Sequence, residues 1–366
     1  MSSNLKMVVT GGGTGGHFFP AQTIKNALEA KGVEVKYIGS KFGLEASFYN
    51  NCHDKALLLS IRGIQRQINI SSIIKNISFP FNFLISYYQS RIFLKRFKPN
   101  IVIGTGGYSS GLPLLAAIHM GIKTVIQEQN SYPGITTHYL SNKVNKICIA
   151  YKDIAFYLKK KNYILTGNPI RDCIIKINKK DAKHKLNFNI DKPVLTILGG
   201  SQGSYPLNKY FIKNYMLFIN SGIQILWQCG KKQFHDINNI ISNENIKLIP
   251  FTNEMNLLYS ASDLIVSRSG ALALSEMSLI GKAMILIPFP NSAANHQVKN
   301  AELFANHGAA ILFKQSNLYS GKLENKIINL IANKMKLNRM EHESMKLSIK
   351  NSTDKIINII MELINN

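Results

Sequence analysis

Short apolar runs that end in glycine-rich turns and lead into helix-like stretches recur along this chain, and the pattern starts twice. LKMVVTGGGTGG, beginning at Leu5, opens the first series. VEVKYIGS, NIVIGTGGYSSG, KTVIQEQN, NKICIA and YILTGNP continue it, with helix-like stretches from Pro20 to Lys31 and Gly111 to Met120. KPVLTILGGSQG opens the second series, followed by IQILWQCG, NIKLIPF, DLIVSRSG and KAMILIPFP. Short apolar strands alternating with helices form a parallel sheet covered on both faces. The pattern therefore predicts an α/β chain with two Rossmann-like domains, and a length of 366 residues suits two cores better than one. A polar stretch from Gly167 to Lys192, flanked by Pro169 and Pro193, marks the joint. The expected domains are 1–167 and 168–349. An amphipathic helix at about Asp354–Ile364, within the tail 350–366, is free to pack back on either domain.

Charge narrows the partners. Lys and Arg number 44 against 20 Asp and Glu, a net charge of +24. That excess suits an anionic partner such as an acidic membrane or a phosphorylated substrate. Equally, Lys, Asn and Ile are abundant everywhere, as in NKIINLIANKMKLNRM, which reads as compositional bias. No nucleic-acid-reading motif accompanies the charge, so no nucleic-acid partner is expected. Cys52, Cys148, Cys173 and Cys229 lie far apart with no C-x-x-C pair, which predicts buried free thiols in a reducing cytosol. MSSNLKMVVTGGG lacks the apolar core of a signal peptide, and no apolar run reaches about 18 residues, so no membrane-spanning helix is expected.

Gly11, Gly13 and Gly16 fit G-x-G-x-x-G after a strand, a spacing that lets backbone N–H groups approach a phosphate at a helix N-terminus. A dinucleotide site with this loop calls for an acid near the end of the second strand. That strand ends Tyr37-Ile38-Gly39-Ser40, with no acid in place. Three more loops follow: Gly104-Thr105-Gly106-Gly107-Tyr108, Gly199-Gly200-Ser201-Gln202-Gly203 and Ser269-Gly270. Four loops, two per half, exceed what one dinucleotide needs. Open α/β sheets bind ligands at the carboxyl ends of their strands, so two domains facing across a cleft are expected to share these loops.

The run Gly12-Gly13-Thr14-Gly15-Gly16-His17 with Phe19-Pro20, then GTGGYSSGLP, QEQNSYPGITTHYLS, TGNPIR, GGSQG, SRSGALALSEMSLIGKAMILIPFP and NHQVKNA, occur in one order. Together they resemble the MurG-type N-acetylglucosaminyltransferases, from about Leu5 to Ala310. The resemblance implies the GT-B architecture, two Rossmann-like domains facing across a cleft. It implies inverting transfer of N-acetylglucosamine from UDP-N-acetylglucosamine to a lipid-linked muramyl-pentapeptide on the cytoplasmic face of the bacterial inner membrane. By motif match it implies donor contacts at Thr14, Gly15, Gly16, Asn130, Arg171, Ser201, Thr252, Ala271, Leu272, Ala273, Leu274, Ser275, Glu276 and Gln297. Among these, Glu276 has the chemistry to accept two ribose hydroxyls. Ser201 and the following amides suit the diphosphate, with a charge-assisted hydrogen bond from Arg171. Asn130 and Gln297 suit sugar hydroxyls. Two departures stand out: Arg62-Gly63 leads into Ile64-Gln65-Arg66-Gln67 where the family often has a basic, glycine-containing stretch, and Asn295 replaces an acid before the HQ pair.

Transfer needs a base, a stabilised sugar cation and a neutralised leaving diphosphate. His17, directly after the first glycine loop, is the expected base, histidine being the commonest general base, with Glu128 as the alternative. Helix N-termini and loop amides can neutralise diphosphate. No acidic pair is arranged to clamp a metal, so neither a metal nor a cofactor is expected. The segment Ile70–Phe97 mixes aromatics with Arg91, Lys95 and Arg96. It reads either as a buried helix or as a patch that meets an anionic membrane through Phe79, Phe81, Phe83, Tyr87 and Tyr88.

Overall fold

A computed structural model of the chain describes residues 5–50, 54–63, 77–200 and 202–365. It separates into two compact units, one comprising residues 1–170 and 351–366 and the other 171–350.

The first unit runs β1 (Lys6–Thr10), α1 (Gly15–Glu29), β2 (Glu34–Ser40), α2 (Leu44–Tyr49), β3 (Ala56–Leu59), α3 (Phe79–Phe97), β4 (Ile101–Gly104), α4 (Tyr108–His119), β5 (Lys123–Glu128), α5 (Ile135–Leu140), β6 (Lys146–Ile149) and β7 (Tyr163–Leu165). Its strands pair in parallel in the order β3-β2-β1-β4-β5-β6-β7. The order reverses direction between β1 and β4, so the loops after these two strands diverge to opposite faces and leave a crevice at their carboxyl ends. All four residues of Ile101–Gly104 are buried. That is why the strand reads as a continuous apolar run rather than an alternating one. One face of the sheet packs under α1, where Ile24 and Leu28 meet Met7 and Val9. The other packs under α3 and α4, where Leu94, Phe97, Leu112 and Leu114 meet Val8 and Val102.

The second unit repeats the plan with α6 (Lys179–Lys185), β8 (Val194–Leu198), α7 (Tyr205–Asn220), β9 (Gln224–Gln228), α8 (Phe234–Ile240), β10 (Ile246–Ile249), α9 (Met255–Ala261), β11 (Leu264–Ser267), α10 (Ala271–Ile280), β12 (Met284–Leu286), α11 (His296–Asn306), β13 (Ala310–Leu312), α12 (Lys322–Ala332) and α13 (Lys334–Lys346). Its parallel order, β10-β9-β8-β11-β12-β13, has the same reversal, here between β8 and β11. Trp227, Phe211, Phe218 and Tyr210 fill its core. The turn entering α11 takes Ala294 and Asn295 through φ of 49° and 53°. Asn tolerates that left-handed backbone better than most side chains do.

The chain then returns. α14 (Ser352–Asn365) buries Ile356, Ile357 and Ile360 in the core of the first unit, against α1. Lys123 Nζ also donates to the Leu363 carbonyl oxygen at 2.6 Å.

Two sequence expectations need correction. Among the cysteines, Cys148 and Cys229 are buried thiols, pushed by burial up to about 12 and about 11, but Cys173 is exposed; Cys52 lies outside the described residues. The helix α3 has both a packed and an open face. Phe79, Phe83 and Tyr87 pack against the core, whereas Phe81, Leu84, Ile85, Tyr88 and Ile92 are exposed. The exposed set recurs at one-turn spacing and so forms a single stripe. Residues 70–76 of that segment lie outside the described ones.

Candidate active site

In the first unit the site is built where β1 and β4 end. Gly13 takes φ 86° and its N–H donates to both carboxylate oxygens of Glu45, at 3.0 and 2.9 Å. Glu45 also accepts the Ser40 N–H at 2.9 Å and is fully buried. A Cβ on Gly12 or Gly43 would stand 2.1 Å from this carboxylate, so the glycines let the loop close over it. The acid absent from the end of β2 in the sequence is thus supplied from α2. It serves the loop's own amides rather than standing open to a ribose. Thr14, Gly15 and Gly16 continue into α1, whose N-terminus has no side-chain cap. Its first amides remain available for an anion or a polar ligand.

His17 sits half-buried in the first turn of α1. Its Nδ1 lies 2.9 Å from the Thr105 carbonyl oxygen and 3.0 Å from Oε1 of Gln129. Gln129 cannot be turned round, because its Nε2 donates to the carbonyl oxygens of Thr105 and Gln127, both at 2.8 Å, and to Oε1 of Gln127 at 2.5 Å. Two acceptors facing Nδ1 place the proton there and leave the lone pair on Nε2. Gly106 and Gly107, at φ 96° and 78°, let the second loop approach. A Cβ on Gly106 would be 2.8 Å from His17 Nδ1.

Glu128, the alternative base, is occupied. Oε1 accepts the backbone and side-chain N–H of Asn130, both at 3.1 Å; Oε2 accepts Gly134 N–H at 3.0 Å and the Thr137 hydroxyl at 2.5 Å. Four donors saturate a buried carboxylate, so its geometry suits shaping the loop that carries Asn130 rather than taking a proton. Beside the same loops, a cavity of about 480 Å³ is lined by Thr14, Ser40, Phe42, Arg62, Gly63 and Tyr108. The Arg62 guanidinium lies 3.5 Å from the centroid of the Phe42 ring, a cation–π contact that holds the cation at the cavity wall.

The second unit has its own cluster at the carboxyl ends of β8 and β11. Ala271 to Glu276 form the start of α10, which also has no side-chain cap at its N-terminus. Glu276 is almost wholly buried. Arg171 donates to its Oε1 from Nε at 3.2 Å and from Nη2 at 3.0 Å, and the Tyr259 hydroxyl donates to Oε2 at 3.0 Å. Burial pushes the Glu276 carboxyl above its ordinary range, and Arg171 and Tyr259 pull it back only in part. Gln297 spends its side-chain oxygen on the Phe289 N–H at 2.9 Å. Thr252 is half-buried and its hydroxyl oxygen accepts the Glu254 N–H at 3.0 Å. Ser201 lies outside the described residues; around it, Gly200 takes φ 87° and its carbonyl oxygen accepts the Gly203 N–H at 3.0 Å.

Four side chains of these two clusters escaped sequence reasoning: Glu45, Gln129, Tyr259 and Arg268. Arg268 is buried next to the loop after β8, with no carboxylate among its acceptors in the described residues. It donates to the carbonyl oxygens of Ile287 and Pro288, to the Ser204 hydroxyl and to Gln315. Burial pushes it down to about 10.

Two Rossmann-like domains with glycine loops at their carboxyl strand ends define a glycosyltransferase of the GT-B class: residues 7–149 match the glycosyltransferase family 28 N-terminal domain and residues 194–357 its C-terminal domain. The fold alone is less specific, since a UDP-GlcNAc 2-epimerase from Neisseria meningitidis has a TM-score of 0.65 at 15% identity, over 98% of this chain and 100% of that one. The UDP-N-acetylglucosamine–N-acetylmuramyl-(pentapeptide) pyrophosphoryl-undecaprenol N-acetylglucosamine transferase of Flavobacterium psychrophilum is 39% identical over 98% of both chains. That of Christiangramia forsetii is 35% identical over the full length of both. MurG of Acinetobacter baumannii superposes with a TM-score of 0.78 at 25% identity, over 98% of this chain and 100% of that one. The chain belongs to this family of N-acetylglucosamine transferases.

Proposed function

We propose that the chain moves N-acetylglucosamine from UDP-N-acetylglucosamine to the lipid-linked muramyl-pentapeptide of peptidoglycan synthesis, with inversion at the anomeric carbon. The observation that carries this reading is the 39% identity to the F. psychrophilum transferase over 98% of both chains. In this mechanism Nε2 of His17 takes the proton of the acceptor hydroxyl as its oxygen bonds to the anomeric carbon. The bond from that carbon to the diphosphate breaks, and its electron pair leaves on the β-phosphate oxygen. Glu276 accepts a ribose hydroxyl. The remaining N–H groups of Arg171, the amides of the loop around Ser201 and the uncapped N-terminus of α10 meet the developing charge. Thr14, Gly15, Gly16 and Asn130 of the first unit, and Thr252 and Gln297 of the second, are the further donor contacts that the family resemblance implies.

The first unit takes the acceptor in this reading, with Arg62 in the wall of the cavity beside the first glycine loop. The lipid stays in the bilayer, so the enzyme works at the cytoplasmic face of the membrane as a peripheral protein. No helix among the described residues is long and apolar enough to cross a membrane. The exposed stripe of α3, with Arg91, Lys95 and Arg96 near its end, has the composition that enters an anionic interface. The test is UDP release with UDP-N-acetylglucosamine and the lipid-linked muramyl-pentapeptide. Turnover that requires both substrates is expected; release of UDP at the same rate without the lipid acceptor overturns the assignment.

A further inference from the structure

A carboxylate has about four lone-pair positions, two on each oxygen. In Glu276 the two Arg171 bonds both fall on Oε1, and the single Tyr259 bond falls on Oε2. The open acceptor position therefore belongs to Oε2, the oxygen that Tyr259 holds. Tyr259 is itself buried in the second unit, and its hydroxyl donates to Glu276. Arg171 is a third exposed, whereas Tyr259 is fully enclosed by its packing. An ionised carboxylate so deeply buried keeps its charge and its orientation only through such donors.

We propose that Tyr259 is a positioning residue for donor recognition: its hydroxyl aims Oε2 of Glu276 at one ribose hydroxyl of the nucleotide and thereby sets the preference for ribose over deoxyribose. The inference rests on the reading of Glu276 as the ribose acceptor. It adds that one oxygen, held by one buried phenol, carries the discrimination.

The experiment is calorimetric titration of UDP and 2′-deoxy-UDP into the full chain and into Tyr259→Phe, over a range of pH. Wild type is expected to prefer UDP by about 10–100-fold, the worth of one hydrogen bond to a charged group. Tyr259→Phe keeps the ring and is expected to shrink that preference to about threefold or less. The variant should also lose UDP affinity at higher pH than wild type does, because removing a donor to the ionised form raises the carboxyl's pKa. In a Glu276→Gln background, Tyr259→Phe should change UDP affinity by less than about twofold, since the route through the carboxylate is gone. A Tyr259→Phe protein with unchanged preference and unchanged acid limb overturns the role of Tyr259, whatever its melting temperature. A wild-type protein that binds both nucleotides alike overturns the ribose reading, and the role of Tyr259 with it.

Discussion

Oε1 of Gln129 stands 3.0 Å from Nδ1 of His17 and cannot exchange places with its own amide nitrogen, which is tied to three oxygens. The glutamine therefore joins the Thr105 carbonyl oxygen in holding the proton on Nδ1 and fixes the tilt of the ring. His17→Ala should lower kcat by about 10²–10⁴-fold, the usual worth of a general base. Gln129→Leu should lower it by about 10–100-fold, as loss of an orienting partner does at other histidine sites, and leave UDP affinity unchanged. In the double variant Gln129→Leu should add nothing further. Steady-state kinetics beside UDP titration checks all three, and an additive double variant contradicts the tautomer argument.

Asp263 supplies a pH test of stability away from the chemistry, at the opposite end of β11 from the site. It accepts from Lys179 and Lys183, both at 3.0 Å, and from the Val194 N–H at 2.8 Å. Burial pushes its carboxyl up, but Lys179, the Val194 amide and Lys183 outweigh burial and leave it below the ordinary aspartate range. A depressed carboxyl contributes stability above its unfolded pKa, about 3.9, and loses it as pH falls through the folded value. Asp263→Asn removes the carboxylate facing Lys183, whose ammonium keeps the Lys192 and Ile190 carbonyl oxygens, and should cost about 1–2 kcal/mol at pH 7. In thermal melts the gap to wild type should be several degrees at pH 7 and close as pH is lowered from about 5 towards 3. A gap that does not change with pH refutes the linkage.

Diphosphate neutralisation by amides and Arg171 predicts activity that survives chelation. Turnover in excess EDTA should match turnover without it. Complete loss, restored only by a divalent ion, contradicts the proposed mechanism.

The two faces of α3 predict opposite phenotypes. Replacing Phe81, Leu84 and Tyr88 together with Ser should leave the melting temperature nearly unchanged and abolish sedimentation with anionic vesicles. Phe83→Ser, on the packed face, should instead lower the melting temperature, because a half-buried aromatic forfeits part of the about 3–5 kcal/mol that a fully buried one is worth. Vesicle binding that survives the triple replacement defeats the membrane stripe.

The strands were legible because both faces of each sheet are covered, which writes runs such as Val194–Leu198 as unbroken apolar text. The loops were legible because left-handed backbone at Gly13, Gly106 and Gly200 admits little but glycine. What stayed hidden were pairings between distant residues. Glu45 meets Gly13 across 32 positions, and Arg268 meets Ser204 across 64. Tyr259 meets Glu276 across 17, from a different helix. No local spacing encodes these contacts; the sheet order brings them together. The same holds for α3, where aromatic residues on both faces conceal which side is buried.

The return of α14 to the first unit has a consequence for how the protein is made. Its Ile356, Ile357 and Ile360 complete a core whose other members, such as Met7 and Ile24, come from the first strand and helix. Fully burying such side chains is worth about 2 kcal/mol each. Domains commonly fold in the order in which they leave the ribosome. Here the earlier unit finishes its core only after the whole of the later unit has been synthesised. A ribosome stalled between the two units holds a half that is still missing part of its interior.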